Sequence, residues 1–109
     1  MTGDHIDDMP AVLAVLADET RWEILTALGE EDLSASALAA RLPVSRQAIA
    51  KHLAVLAGCG LVDAVPVGRE IRYRALGGRL SAVGAELDRL GRVWDRRLAA
   101  IKRIAERSQ

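Results

Sequence analysis

The stretch "SRQAIAKHLAVL", residues 45–56, decides how the rest of the chain is read. Ile49, Leu53 and Leu56 recur at the spacing of one helix face turned toward a core. At about 100° per residue, the opposite side is centred on Gln47 and Lys51. Ala54 lies beside Gln47, Ala48 at the margin, Arg46 to one side, and His52 nearer the packed side. Ser45 stands where an N-cap is wanted, its hydroxyl in reach of an unpaired backbone N–H. Small residues beside long polar ones let a helix lie deep in a groove, where Gln and Lys donate to base edges or phosphates. Taken alone, such a face is a solvated surface. Its neighbours in the sequence change that reading.

Upstream, Pro43 ends a preceding helix, "SASALAARL" (34–42), which Ser34 caps and which carries Ala35, Leu38, Ala39 and Leu42. Two helices joined by a turn of about three residues describe a helix-turn-helix. Further back, "TRWEILTAL" (20–28) reads as a helix capped by Asp18 or Thr20. Its apolar residues are Trp22, Ile24, Leu25 and Leu28, and Gly29 is placed to stop it. "AVLAVLA" (11–17) reads as a short helix with Pro10 in its first turn. Downstream of "AGCG" the period changes to two. "LVDAVPV" (61–67) and "REIRYRAL" (69–76) flank Gly68 and predict a hairpin. Ile71, Tyr73 and Ala75 share one face of it, Glu70, Arg72 and Arg74 the other, and Pro66 keeps the first strand at an edge. A long helix then opens at "GGRL", with apolar residues Leu80, Val83, Leu87, Leu90, Trp94, Leu98, Ile101 and Ala105 stepping by three or four. A stripe of about seven turns exceeds what one small core covers, so part of it seeks a partner helix.

The expected fold is mostly α with a small β-hairpin. The expected organisation is a single domain over 1–109, with 10–76 holding the helix-turn-helix and hairpin and 78–107 the terminal helix.

A chain of 109 residues, half of them apolar, suits one domain with one core. The longest apolar run, residues 11–17, is far shorter than the roughly 20 residues that cross a bilayer, so no membrane partner is expected. The opening "MTGDHIDD" is acidic and lacks a basic-then-apolar signal segment. Cys59 is the only cysteine, which excludes an internal disulfide and points to the reducing cytoplasm. Trp22, Tyr73 and Trp94 are the only aromatic residues, too few for the stacking platforms of single-strand or RNA binders. The formal charge is zero, but it is unevenly placed. Residues 1–40 hold one basic residue, Arg21, against nine acidic ones. Residues 41–79 hold seven basic against two acidic, and residues 80–109 seven against four. A neutral total can hide a basic face that attracts polyanions.

"LADETRWEIL", "LAARLPVSRQAIAKHLAVLAGCGLV" and "VGREIRYRAL" stand in the order and spacing of the ArsR-type winged helix-turn-helix transcription regulators, which this chain resembles over roughly residues 10–76. The resemblance implies a homodimer that occupies a near-palindromic double-stranded DNA operator and represses. Recognition helices would enter successive major grooves, and wings would reach the flanking backbone. It places Ser45, Arg46, Gln47, Ala48 and Lys51 on the recognition helix and Gly68 and Arg69 at the wing tip. Arg72 and Arg74 can each neutralise a phosphate, while the hairpin's charges, Glu70 and Arg74 above all, also serve solubility at a sheet edge. "KHL" matches a common family residue, so His52 supports packing or meets a phosphate. Relatives often carry hydroxyl residues where Ala48 and Ala50 stand, so base contacts here need not follow theirs; Ala48 can meet a thymine methyl. Leu80, Val83, Leu87, Leu90, Trp94, Leu98 and Ile101 form the expected dimer seam. "WDRRLAAIKRI" is similar to members found beside genes for small ligand-binding or chaperone-activator proteins, which names no effector.

Members of this family that sense metals use clustered thiolates, or His with carboxylates at tetrahedral spacing. Here helix 34–42 has no cysteine, and the terminal helix offers Glu86, Asp88 and Asp95 without histidine. His5 stands apart near the amino end. No metal and no cofactor are expected. Cys59 reads as a small packed thiol, with a redox-responsive thiol as the alternative. No nucleophile, base and orienter fall together, and no phosphate-cradling glycine loop occurs, so an enzyme is not expected. A winged-helix module binding another protein through its terminal helix is the remaining rival.

Overall fold

A computed structural model describes residues 8–107; the acidic opening and His5 lie outside the described residues. Along the chain run α1 (Met9–Leu16), α2 (Glu19–Glu30), β1 (Leu33–Ser34), α3 (Ala35–Arg41), α4 (Arg46–Gly58), β2 (Val62–Val67), β3 (Glu70–Ala75) and α5 (Gly77–Arg107). The chain is mostly helical with a small antiparallel sheet and a long last helix, the fold class the sequence predicts.

Three helices start on side-chain caps. Asp18 Oδ1 accepts the Arg21 N–H at 3.1 Å, Ser34 Oγ that of Ala37 at 3.1 Å, and Ser45 Oγ that of Ala48 at 3.1 Å. Asp18, not Thr20, is therefore the cap of α2. Gly29 does not stop α2. The helix continues to Glu30 and ends where Glu31 turns extended, at φ −161°, on the way into β1. α4 ends differently. Gly60 takes φ +73°, its N–H donates to Ala57 O at 3.0 Å, and Leu61 N–H donates to Leu56 O at 3.0 Å. This is a Schellman stop, and the two residues that bracket it, Leu56 and Leu61, are both fully buried.

The core joins Val12 of α1, Ile24, Leu25 and Leu28 of α2, Leu38 of α3, and Ile49, Leu53 and Leu56 of α4 to Leu33, Leu61, Val62, Ala82 and Val83. No polar side chain among the described residues is buried with them. Fully burying one such side chain contributes about 1.5–3 kcal/mol. Trp22 does not join this core: it is 59% exposed. At about 100° per residue it lies well off the arc shared by Ile24, Leu25 and Leu28.

The sheet has the order β1-β3-β2. Val62 pairs with Ala75 and Val67 with Glu70, which leaves Gly68 and Arg69 as a two-residue turn. Positive φ at Gly68 (+65°) and not at Arg69 is the type II′ pattern, which matches the twist of paired strands. Pro66 lies on the edge strand β2, where a missing donor is tolerated. β1 was not expected. Its Leu33 and Ser34 pair with Tyr73 and Arg72, making β3 the central strand. Ile71, near the tip, is 54% exposed, whereas Tyr73 and Ala75 reach the core.

α5 extends for about 46 Å at 1.5 Å per residue. Only its beginning belongs to the core. Val83 is 4% exposed and Leu80 packs half-buried beside it, so these two residues of the expected seam are held by the protomer itself. From Leu87 (44% exposed) to Ile101 (59%) the apolar stripe lies open.

Candidate nucleic-acid interface

The buried trio Ile49, Leu53 and Leu56 fixes the roll of α4 and turns its other side outward. Ser45, Arg46, Gln47 and Lys51 are exposed and Ala48 is half-buried. Ser45 uses its oxygen as acceptor for the cap, leaving its hydroxyl hydrogen available. Among the described residues, the side chains of Arg46, Gln47 and Lys51 have no hydrogen-bond or ion-pair partner. A helix start with unpaired N–H groups and two nearby cations is a favourable place for phosphate.

Between the starts of α3 and α4 and the hairpin lies a concavity of ≈ 380 Å³, lined by Ser34, Ala35, Ser36, Arg46, Arg69, Glu70, Ile71 and Tyr73. It brings Arg46 and Arg69 to one hollow, although 23 positions separate them in the chain. Ser36, exposed at the start of α3, adds a hydroxyl that the sequence reading overlooked. One serine in an alanine-rich helix gives no signal of its own.

The three hairpin arginines are not equivalent. Arg69 sits exposed at the turn with no ion pair among the described residues. Arg72 Nε lies 2.7 Å from Glu70 Oε1, an exposed pair of the kind that contributes little and that a phosphate can replace. Arg74 donates to Asp32 Oδ2 from Nε at 3.1 Å and from Nη2 at 2.9 Å. The Asp32 carboxylate raises the Arg74 pKa above its ordinary value, first through these hydrogen bonds and then through its charge. Arg74 thus ties the base of the hairpin to the turn before β1. That lessens its availability to DNA.

His52 is also drawn inward. Its Nδ1 accepts a hydrogen bond from Arg21 Nε at 3.2 Å, linking α4 to α2. The same Arg21 donates its backbone N–H to Asp18, and that bond, aided by the Arg21 charge, lowers the Asp18 pKa. His52 therefore acts from behind the exposed edge instead of on it. Cys59 is the half-buried C-cap of α4 and packs against the core. Trp94 is 51% exposed, with the Arg97 guanidinium 5.2 Å from its ring centroid. Among the described residues, no three His, Cys, Asp or Glu side chains come together as a metal-binding group. No described helix is long and apolar enough to cross a membrane.

Comparison with known proteins fits this geometry. Residues 16–65 match a helix-turn-helix domain family. The solved ArsR-like transcriptional regulator from Rhodococcus sp. RHA1 is 66% identical, over 90% of this chain and 92% of that one, with a TM-score of 0.79. The HTH-type transcriptional regulator Rv2034 of Mycobacterium tuberculosis is 36% identical over 84% of this chain and 82% of its own length. CmtR of the same organism, described in its solved structure as a cadmium metal-sensor, is 42% identical over 72 residues. This chain spans 61% of that curated relative. The chain belongs to the ArsR-like family of helix-turn-helix transcriptional regulators.

Proposed function

We propose that the chain is a cytoplasmic, homodimeric repressor that binds a specific double-stranded DNA operator without a metal. One observation carries the reading: Arg46, at the start of the unpartnered and exposed α4 edge that runs to Lys51, shares a hollow with Arg69 of the hairpin. Gln47 reads a base edge in the major groove, Lys51 and Arg46 meet base or phosphate, and Arg69 neutralises a flanking phosphate. Arg72 exchanges Glu70 for a phosphate, whereas Arg74 keeps Asp32. Residues 10–76 make the DNA-contacting part, and 78–107 supply the dimerisation helix. The stripe from Leu87 to Ile101 pairs with a second copy and sets two α4 helices at the spacing of two half-sites. The excess of acidic residues before position 41 limits indiscriminate binding.

The relative CmtR is a cadmium sensor, but a soft-metal site needs clustered thiolates and this chain has one cysteine, half-buried in packing. The test is selection of bound fragments from the source genome, followed by gel shift of the recovered sequence against random competitor. Reduced, metal-free protein should retain one sequence in preference. No preference for any duplex at moderate ionic strength, with or without added zinc or cadmium, would overturn the proposal.

A further inference from the structure

α5 carries a second feature that the operator-binding reading does not use. On the wheel of this helix Arg89, Arg92, Arg96, Arg103 and Arg107 fall within about 60° of one another. They form a row about 27 Å long. Val83, Leu87, Leu90, Trp94, Leu98 and Ile101 are centred on the opposite side. The helix's carboxylates Glu86, Asp88, Asp95 and Glu106 lie outside the arginine arc. All five arginines are exposed. Glu86 pairs with Arg89, and among the described residues Arg92, Arg96, Arg103 and Arg107 have no ion pair. Ala82 and Val83 seat the start of α5 in the core and Arg89 lines a groove with Met9 and Leu13 of α1, whereas Arg92, Arg96, Arg103 and Arg107 lie beyond the core, open to solvent. A second copy covering the apolar stripe leaves them outward as well.

We infer that this outer face of α5 is a second, sequence-independent binding surface for duplex DNA, separate from the α4 edge. A straight row of planar, permanently charged guanidinium groups, with Glu86 and Glu106 only at its margins, complements a polyanion. A regularly charged rod suits a row of this length, which is slightly shorter than one turn of B-form DNA, about 34 Å. The choice of DNA over an acidic protein rests on the proposed function, because a chain held on DNA meets neighbouring duplex at high effective concentration. Since Arg92, Arg96, Arg103 and Arg107 sit on the part of α5 that has left the core, the duplex they hold is another segment, and one dimer bridges two.

The experiment uses the full chain and a variant with Arg92→Gln, Arg96→Gln, Arg103→Gln and Arg107→Gln together. Glutamine keeps helix propensity close to that of arginine, and circular dichroism confirms the helix is intact. Operator duplex fixed to beads is loaded with protein and then offered a labelled random-sequence duplex. The unaltered chain captures the second duplex at about 50 mM salt and releases most of it by about 200 mM. The variant holds the operator as before but captures at least about tenfold less of the second duplex, because four phosphate contacts would account for a salt slope of roughly three to four. Equal capture by both proteins overturns the inference, as does no capture by the unaltered chain. Retention of labelled polyglutamate without any capture of duplex overturns it in favour of an acidic protein partner. If no operator is retained at all, the proposed function fails instead. Binding of random duplex is then compared with and without the four substitutions in a Lys51→Ala, Arg69→Ala background; a loss on substitution supports the surface and no loss overturns it.

Discussion

Arg21 Nε donates to His52 Nδ1 across 3.2 Å, and through this bond α2 holds α4, the helix whose exposed edge is proposed to meet DNA. The bond is half-buried, joins residues 31 apart, and is backed by Asp18 at the start of α2. His52→Leu should lower stability by about 1 kcal/mol, or roughly 4–8 °C in Tm, because the Arg21 guanidinium loses its acceptor. It should also weaken operator binding, although His52 is not on the outward edge. His52→Gln, which restores an acceptor, should recover most of both losses. Thermal melts and gel shifts on the three proteins check this, and a His52→Leu variant with unaltered binding would show that α4 needs no such hold.

The hairpin arginines should separate by their intramolecular partners. Arg69→Ala weakens operator binding and reduces the slope of log affinity against log salt by about one. Arg74→Ala leaves that slope unchanged, since its charge is already met by Asp32. A salt titration of binding for each variant distinguishes the two outcomes.

Specificity and affinity should divide along α4. Gln47→Ala relaxes discrimination at one base pair by about 1–3 kcal/mol, while Lys51→Ala weakens all duplexes alike and flattens the salt dependence. Competition between the operator and single-base variants measures the first, and ionic-strength series the second.

Along α5 the same substitution should have different consequences. Leu98→Asp gives a folded monomer that binds operator poorly, because two half-sites are no longer engaged together. Val83→Asp unfolds the protomer, since it places a charge in a core with no polar partner. Sedimentation and circular dichroism read both. A Leu98→Asp protein that stays dimeric would remove the stripe from the seam.

The lowered Asp18 pKa fixes the sign of one pH effect. A carboxylate whose folded pKa is depressed adds stability above its unfolded pKa and loses it as pH falls through the folded one. Asp18→Asn keeps the cap acceptor but removes the charge. Denaturant unfolding should show the unaltered chain more stable than Asp18→Asn at pH 7. The gap should close as pH drops below the usual carboxylate range, near 4.

Much of this architecture was legible because local rules and global packing agree. Ser34 and Ser45 cap the helices they precede, and Ile49, Leu53 and Leu56 reach the core as their spacing requires. What stayed hidden depends on residues distant in sequence. β1 is two residues long, too short to show a period, and exists because Leu33 and Ser34 meet Tyr73 and Arg72. The pairing of Arg74 with Asp32 spans 42 positions and that of Arg21 with His52 spans 31, so neither shows in a window of neighbours. Leu80 and Val83, expected in the dimer seam, meet the protomer's own core for a related reason. Periodicity says that an apolar residue lies on a stripe, but only the packed chain shows which part of the stripe meets its own core.

Ser34 belongs to two structures at once: it pairs with Arg72 of the sheet and closes the first turn of α3 through Ala37. The hairpin is therefore geared to the helix-turn-helix and is not a free paddle. Any tilt of α3 must be shared by the central strand of the sheet or break one of these two links.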